Sequence, residues 1–285
     1  MKRKPVIGLV MKSLNAEFFQ EMKKGAWQFA QNQNSFELKT VGTSNQTEII
    51  LQIQLIESLI DQKADALVIV PIDSKALVPV VVKAIKAGIK VINIDIKLDE
   101  KLLQQKGIKL TYVGPDNEVA AELVGDFLGN KLKKNAKVIL IEGLQVAENS
   151  QKRKQGFLNS IAKFQLNLVA SVAADWETDK AEKLFSELFA DHPDIEGVMC
   201  SNDAMALGVI SVLEKNGKAG KIQVVGFDND PAVQPLLKSG ALLATIDAFG
   251  SQMAVQGIEF ALKVLDGMKN EGSFSTKFEL IHSNN

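Results

Sequence analysis

The chain alternates short apolar runs with longer amphipathic segments, and this alternation constrains the fold more than any other feature. Runs such as ALVIV, KVILI and QVVGF have no polar face, which is typical of strands that helices cover on both sides. The segments between them repeat apolar residues at helical spacing. The sequence therefore predicts an α/β fold built on parallel sheets.

The predicted elements fall into two similar sets. The predicted strands are 6–10, 36–41, 66–70, 90–95, 111–113, 137–142, 167–173, 197–200, 223–227, 243–247 and 278–282. The predicted helices are 17–33, 46–62, 74–87, 117–132, 149–163, 178–190, 203–216, 231–238 and 252–268. So many strands are unusual for one open sheet, and the strand–helix order repeats after about residue 110. We predict two α/β lobes, with the polar segment 97–109 taken as a boundary region.

Composition excludes several classes of protein. The 285 residues are enough for two lobes with their own cores, and the net charge of −1 gives no reason to expect a nucleic-acid partner. The single cysteine, Cys200, cannot form an internal disulfide. No apolar stretch reaches the ~18 residues of a membrane span, and the N-terminus does not resemble a signal peptide. The protein is then either cytosolic or the mature form of an exported protein.

Motifs that carry enzyme chemistry are missing. The first strand-to-helix turn lacks the glycine-rich dinucleotide fingerprint, and NGKAGK lacks the phosphate-loop spacing. His192 and His282 stand in no recognisable catalytic or metal-binding arrangement. Carboxylate pairs could support glycoside chemistry, but nothing marks an acid/base pair. We therefore expect a protein that is not an enzyme and uses no cofactor and no metal.

Polar and aromatic residues follow nearly every predicted strand, where parallel α/β sheets bind ligands. The candidates are Lys12, Asn15, Phe18, Phe19, Asp95, Asn149, Arg153, Trp176, Asn202, Asp228 and Asp247. Carboxylates and amides bond hydroxyl groups, arginine donates in a fork, and aromatic faces pack on apolar ring surfaces. Each residue alone has a simpler reading, since Asp or Asn at a helix start is more often a cap. Together they predict a small neutral polyhydroxyl ligand.

Several motifs occur in the order found in one known family. VIGLVMKSLNAEFF, VINID, YVGPDN, RKQGF, ADWETDKA, SNDAMALG and VVGFD span essentially the whole chain. The sequence resembles the periplasmic sugar-binding proteins of ribose-type ABC importers, whose fold also forms the effector domain of LacI-type repressors. Within that family it resembles allose binders more than ribose binders, because allose binders also carry a lysine where Lys12 stands.

The resemblance implies a type I periplasmic binding protein fold, in which a three-strand hinge joins two Rossmann-like lobes and the sugar binds in the cleft. The first lobe would comprise 1–114 plus 249–277, and the second 115–248 plus 278–285. In the first lobe, Phe18 and Phe19 would form an aromatic wall, Asp95 would accept hydrogen bonds from sugar hydroxyls, and Lys12 would donate.

The second lobe would provide the opposite half of the site. The resemblance implies that Trp176 is the facing aromatic wall and that Arg153, Asn202 and Asp228 hold the sugar. Closure would then be favoured by the sugar, because the closed state adds the second set of contacts.

Three departures from the family pattern concern specificity. Ala16-Glu17 stands where the family often has Asn-Pro, and Asn15 either replaces the missing asparagine or does not. Ile96 and Ala248 stand where ribose binders have Arg and Gln. A ribose site would lose donors worth roughly 1–3 kcal/mol each. We therefore expect an allose-like hexose, another aldose or ketose, or a sugar alcohol.

The expected function is capture of this ligand and delivery to the membrane subunits of an ABC permease, by a monomer in the periplasm or at the cell surface. The alternative is a sugar-sensing domain that signals to a chemoreceptor or kinase, or forms the effector part of a repressor. A sugar-converting enzyme is a third, weaker alternative.

Overall fold

The chain folds into two compact units, which a computed structural model describes over residues 3–283. Within that range, unit 1 comprises 3–115, 146–148 and 249–276. Unit 2 comprises 116–145, 149–248 and 277–283. Each unit therefore consists of three separate stretches of the chain.

Unit 1 is a six-stranded parallel sheet with helices. Its strands are β1 (Val6–Met11), β2 (Glu37–Gly42), β3 (Ala66–Ile69), β4 (Lys90–Ile94), β5 (Thr111–Gly114) and β11 (Gly272–Ser275). Its helices are α1 (Glu17–Gln33), α2 (Ile49–Asp61), α3 (Val78–Lys86), α4 (Glu100–Gln105) and α10 (Gly250–Leu265). The strand order is β2-β1-β3-β4-β5-β11, and every neighbouring pair is parallel.

Unit 2 repeats this topology. Its strands are β6 (Lys137–Glu142), β7 (Asn167–Ala173), β8 (Gly197–Cys200), β9 (Gln223–Val225), β10 (Ala244–Asp247) and β12 (Glu279–His282). Its helices are α5 (Asn117–Gly129), α6 (Glu148–Lys163), α7 (Thr178–Asp191), α8 (Asp203–Lys215) and α9 (Gln234–Ser239), with a short 3-10 helix at Pro231–Val233. The order β7-β6-β8-β9-β10-β12 matches that of unit 1, except that β12 runs antiparallel to β10.

The central strands are buried on both faces, as their unbroken apolar sequence predicts. Every residue of β3 and of β8 is buried. The α10 helix packs closely on one face of the first sheet, because a Cβ added to Gly257 would lie 2.7 Å from Ile94 and 2.8 Å from Val68. The predicted class, α/β with parallel sheets, is confirmed.

Helix ends carry the local capping and stop residues that helices usually have. The side chains of Asp116 and Asn202 accept hydrogen bonds from backbone N–H groups in the first turns of α5 and α8. Gly88, Gly217 and Gly267 each have a positive φ and stand two residues beyond the last residue of a helix. Glycine adopts that conformation without a steric penalty, which explains its use as a helix stop.

Two elements were not predicted. The polar segment 97–109, read as a boundary region, contains α4 and lies within unit 1. A short helix capped by Asp99, with one buried residue, gives little periodic signal. Strand β11 has the sequence GSFS, and all four residues are exposed at the sheet edge. An exposed edge strand lacks the apolar run that identifies the other strands.

Candidate functional site

The predicted ligand residues lie at or just beyond the carboxyl ends of strands in their own unit, or near the start of the following helix. Lys12, Asn15, Phe18, Phe19 and Asp95 belong to unit 1. Asn149, Arg153, Trp176, Asn202, Asp228 and Asp247 belong to unit 2. Because neighbouring parallel strands end at the same edge of a sheet, each set lies on the edge where α/β proteins bind ligands.

In unit 1, a lysine and two aromatic rings meet after β1. Lys12 is only 4% exposed, and its Nζ lies 5.5 Å from the centroid of the Phe19 ring. The rings of Phe18 and Phe19 are edge to face, with centroids 5.2 Å apart. Phe19 is buried and Phe18 is half-buried. The cation is thus held beside an aromatic wall, an arrangement that stabilises a poorly solvated ammonium group.

Asn15 has a local structural role. Its side chain is exposed, and its Nδ2 donates a 2.8 Å hydrogen bond to the backbone oxygen of Ser44. This bond ties the loop after β1 to the loop after β2. The ligand role of Asn15 stays a prediction, and its amide N–H already has a partner within unit 1.

Asp95 follows β4 and is 2% exposed. Its backbone N–H donates to the carbonyl of Val113, and its carbonyl accepts a 2.8 Å hydrogen bond from the Tyr112 hydroxyl. Its φ of +61° lies in the left-handed region. A non-glycine residue held there by its neighbours is typical of a functional position.

Arg153 organises the candidate site of unit 2. Its side chain, 3% exposed, projects from α6. The Nε donates to Asn117 Oδ1 at 2.8 Å, and Nη1 donates to the Ser201 carbonyl at 2.8 Å and lies 3.4 Å from Asp228 Oδ1. The guanidinium carbon is 3.5 Å from the ring centroid of Phe227. The fork is therefore fixed on one side, which leaves Nη2 as the part that could donate to a ligand.

Trp176 lies near this arginine. Its ring centroid is 5.6 Å from the guanidinium carbon of Arg153, and the side chain is buried. The ring packs on Gly143, where an added Cβ would lie 2.1 Å from the nearest ring carbon. Asp175 and Trp176 both have positive φ, 55° and 72°. The backbone turn after β7 and the glycine after β6 together set the position of the indole.

Two asparagines at helix starts lie near Arg153. Asn149 is close to it in the sequence, and Asn202 follows Ser201, whose carbonyl accepts a hydrogen bond from the arginine. Asn149 is one turn before Arg153 on α6 and 2% exposed, and its Oδ1 has no hydrogen-bond partner within residues 3–283. A buried acceptor without a partner is rare and suits a ligand hydroxyl. Asn202 caps α8 with Oδ1, which accepts from Met205 N at 2.9 Å, so Nδ2 is the group suited to a ligand.

The last two predicted residues flank the end of the sheet. Asp228 has a φ of +114°, and its backbone N–H donates to the carbonyl of Ile246 at 2.7 Å. Asp247, the last residue of β10, accepts a 3.0 Å hydrogen bond from Asn229 Nδ2. Asp228 contacts Arg153, whereas the interaction described for Asp247 is with Asn229.

Sequence reasoning did not assign Asn117 and Phe227, the residues that hold Arg153. Phe227 was predicted only as the last residue of the strand 223–227, although it lies in the VVGFD motif. Asp203, next to Asn202, is fully buried and accepts hydrogen bonds from Thr245 Oγ1 and from the backbone N–H of Asp230. Burial, and next the charge of Asp228, raise the pKa of Asp203 well above its usual value. Asp203 therefore joins the start of α8 to β10 and to the loop after β9.

Metal clusters and membrane-spanning helices are both absent from residues 3–283. No cluster of three or more His, Cys, Asp or Glu side chains there is arranged to hold a metal ion. No helix in the same range is both long and apolar enough to cross a membrane.

Two α/β units of the same strand order, with polar and aromatic residues at their strand ends, define a class of small-molecule binding protein. The chain belongs to the periplasmic binding protein domain family, whose sequence model matches residues 7–269. The family resemblance read from the motifs is confirmed.

Named relatives cover nearly the whole chain. A D-ribose/D-allose-binding protein of Pseudomonas aeruginosa is 42% identical over 98% of this chain and 89% of its own length. An ABC transporter solute-binding protein of Burkholderia multivorans, solved with an unknown ligand, is 40% identical, with a TM-score of 0.95 over 98% of this chain and 100% of its own. A periplasmic solute-binding protein of Actinobacillus succinogenes with bound D-allose is 32% identical, with a TM-score of 0.92 over 99% and 98%.

Proposed function

We propose that this protein is a solute-binding protein of an ABC importer, which captures a monosaccharide and delivers it to the permease. The observation that carries the proposal is the cluster of Arg153, Asp228 and Trp176 in unit 2, in which the arginine and the indole are buried and the carboxylate is 10% exposed. It combines a fixed donor fork, a carboxylate and an aromatic ring, which are the groups that hydroxyls and the C–H face of a sugar require.

Unit 1 supplies a second set of the same chemical kind. Lys12 donates, Asp95 accepts, and the rings of Phe18 and Phe19 provide apolar contact. That both sets bind the same sugar molecule stays a prediction. If this prediction holds, substitutions in unit 1 and substitutions in unit 2 each weaken the binding of the same sugar.

The proposed role is binding without chemical conversion. A catalytic site needs groups whose pKa values are separated for acid and base work. In unit 2, burial strongly raises the pKa values of the Cys200 thiol and of Asp203, and the carboxyl group of Asp203 accepts hydrogen bonds from Thr245 and from the backbone of Asp230. That arrangement supports a structural role for the carboxylate.

An allose-like hexose is the proposed ligand. Ile96 and Ala248, which replace the donors of ribose binders, are buried apolar side chains and offer no hydrogen bond. The lysine at position 12 adds a donor in unit 1. Ribose is the second candidate, because the relative from Pseudomonas aeruginosa carries both sugars in its name.

The sharpest test is calorimetric titration of protein freed from co-purified ligand. The panel contains allose, ribose, other pentoses and hexoses, polyols and inositols. We expect a hexose to bind at least about tenfold more tightly than ribose, the equivalent of one hydrogen bond of about 1.4 kcal/mol. Tighter binding of ribose would reject the hexose assignment, and absence of binding by every compound would reject the proposed function.

Localisation and partners follow from the same proposal. We propose that the protein acts in the periplasm or at the cell surface, as a monomer that docks on the permease. Co-purification with the membrane subunits in the presence of the sugar tests the partner. Light scattering of the free and sugar-bound protein tests the monomer.

A further inference from the structure

Glu142 is a buried carboxylate at the end of β6, outside the predicted ligand residues. It is 4% exposed. Its Oε1 accepts hydrogen bonds from Lys154 Nζ at 2.9 Å and from the Ser171 hydroxyl, and its Oε2 accepts from Gln145 Nε2 at 2.9 Å. Burial alone would raise the pKa of Glu142, but these three donors outweigh it and hold the pKa below its usual value. The group is therefore an ionised carboxylate held by three donors.

The three donors come from three different segments. Ser171 lies on β7, Lys154 on α6, and Gln145 in the loop after β6. Gln145 extends the network, since its carbonyl and its Oε1 both accept from Gln151 Nε2 of α6, at 2.9 and 3.0 Å. One carboxylate thus joins the ends of two neighbouring strands to the helix that carries the arginine of the candidate site.

Two backbone segments that position Trp176 are in direct contact with Glu142. Gly143, on which the indole packs, is the next residue in the chain. The carbonyl of Glu142 accepts a 2.9 Å hydrogen bond from the backbone N–H of Ala174, two residues before the tryptophan. Movement at the end of β6 would therefore shift both the surface beneath the ring and the turn that carries it.

We propose that Glu142 is a positioning residue for sugar binding: its carboxylate locks the ends of β6 and β7 together and so orients the ring of Trp176. This inference rests on the proposed function, in which Trp176 packs on the sugar. A simple stabilising ion pair would instead support the whole unit without a specific effect on the tryptophan. The two cases differ in whether the effects of Glu142 and Trp176 on affinity are coupled.

The first experiment needs no sugar. The chain has two tryptophans, so the Trp27→Phe background leaves Trp176 as the only indole. In that background, Glu142→Gln should weaken the near-ultraviolet circular dichroism of Trp176 and shift its emission to longer wavelength, because the ring is less well held. The matched control is Glu118→Gln. Glu118 lies on α5 and forms a 2.9 Å ion pair with Lys152, which lies on α6 as Lys154 does. An unchanged tryptophan signal in Glu142→Gln, or an equal change in the control, would overturn the proposal.

The second experiment is a double-mutant cycle, measured by calorimetry with the sugar that binds most tightly to the wild-type protein. Glu142→Gln should weaken binding by about tenfold in the wild-type background and by less than about threefold when Trp176→Leu is present. Equal losses in the two backgrounds would show that Glu142 does not act through the indole. Should Glu142→Gln fail to fold, Ser171→Ala removes one donor to the same oxygen and is put through the same cycle.

The two experiments separate this inference from the proposed function. If no sugar binds to the wild-type protein, the proposed function and the role of Glu142 in sugar binding both fail, while the first experiment still decides whether Glu142 orients the ring. If the wild-type protein binds sugar and the cycle is additive, only the inference about Glu142 fails.

Discussion

Replacing Gly143 by alanine tests the contact that places Trp176. The added Cβ would lie 2.1 to 2.3 Å from three carbons of the indole, whereas carbon atoms in contact are about 3.5–4.0 Å apart. The ring must therefore move by roughly 1 Å or more. The φ of Gly143 lies outside the left-handed region, so alanine is compatible with the backbone and the strain comes from the side-chain contact.

The expected magnitude follows from the cost of overpacking, about 1–3 kcal/mol. If the indole relieves the overlap by leaving its place, that cost appears in sugar binding as a loss of about 5- to 150-fold in affinity. Titration calorimetry measures the affinity, and denaturant unfolding of the sugar-free protein measures the stability.

Gly197→Ala is the matched control. Gly197 lies on β8 of the same unit, and a Cβ there would meet a side-chain carbon of Leu132 at 2.9 Å. This variant should lose stability and keep its affinity for the sugar. Wild-type affinity in Gly143→Ala would refute the reasoning, because it would mean that the position of the indole does not matter for binding.

Three further predictions concern single residues. Asp95→Asn should weaken sugar binding by about 1.5–3 kcal/mol in calorimetry with little loss of stability, because asparagine also tolerates a positive φ; unchanged affinity would exclude the carboxylate from the site. Arg153→Lys should lower both the affinity and the denaturant midpoint, because lysine can neither fork nor stack on Phe227, whereas the exposed Arg3→Lys should change neither. The pKa of Glu142 is lowered in the folded protein, so its network stabilises above about pH 4.5 and is lost as the pH falls through the lower folded pKa. The stability difference between wild type and Glu142→Gln should therefore shrink on acidification, and a constant difference from neutral pH to about pH 3 would contradict this.

Local sequence was sufficient for most of the fold. Runs such as 66–70 identify buried parallel strands, because a strand covered on both faces cannot alternate polar and apolar residues. Helix stops such as Gly88 and caps such as Asp116 are also local, since their hydrogen bonds and φ angles depend on adjacent residues. The resemblance to the family was also visible in local sequence, because its motifs are short stretches at strand ends.

The missed strand β11 and the direction of β12 depend on distant partners. Strand β11 is a strand because it pairs with β5, about 160 positions earlier in the chain, and its own four exposed residues carry no apolar pattern. The antiparallel direction of β12 likewise depends on its pairing with β10. A pattern of single residues does not contain these pairings.

The sequence by itself determined which residue types stand at the strand ends, and so the kind of ligand to expect. Only the tertiary structure decided how those residues are held: Arg153 by Asn117 and Phe227, and Trp176 by Gly143. It also showed that Asp203 is buried in a hydrogen-bond network within unit 2, whereas the neighbouring Asn202 caps α8 through Oδ1 alone. The physical reason is that hydrogen bonds and ring contacts act over a few ångströms in space between segments far apart in the chain, whereas periodicity and capping act between neighbours along it.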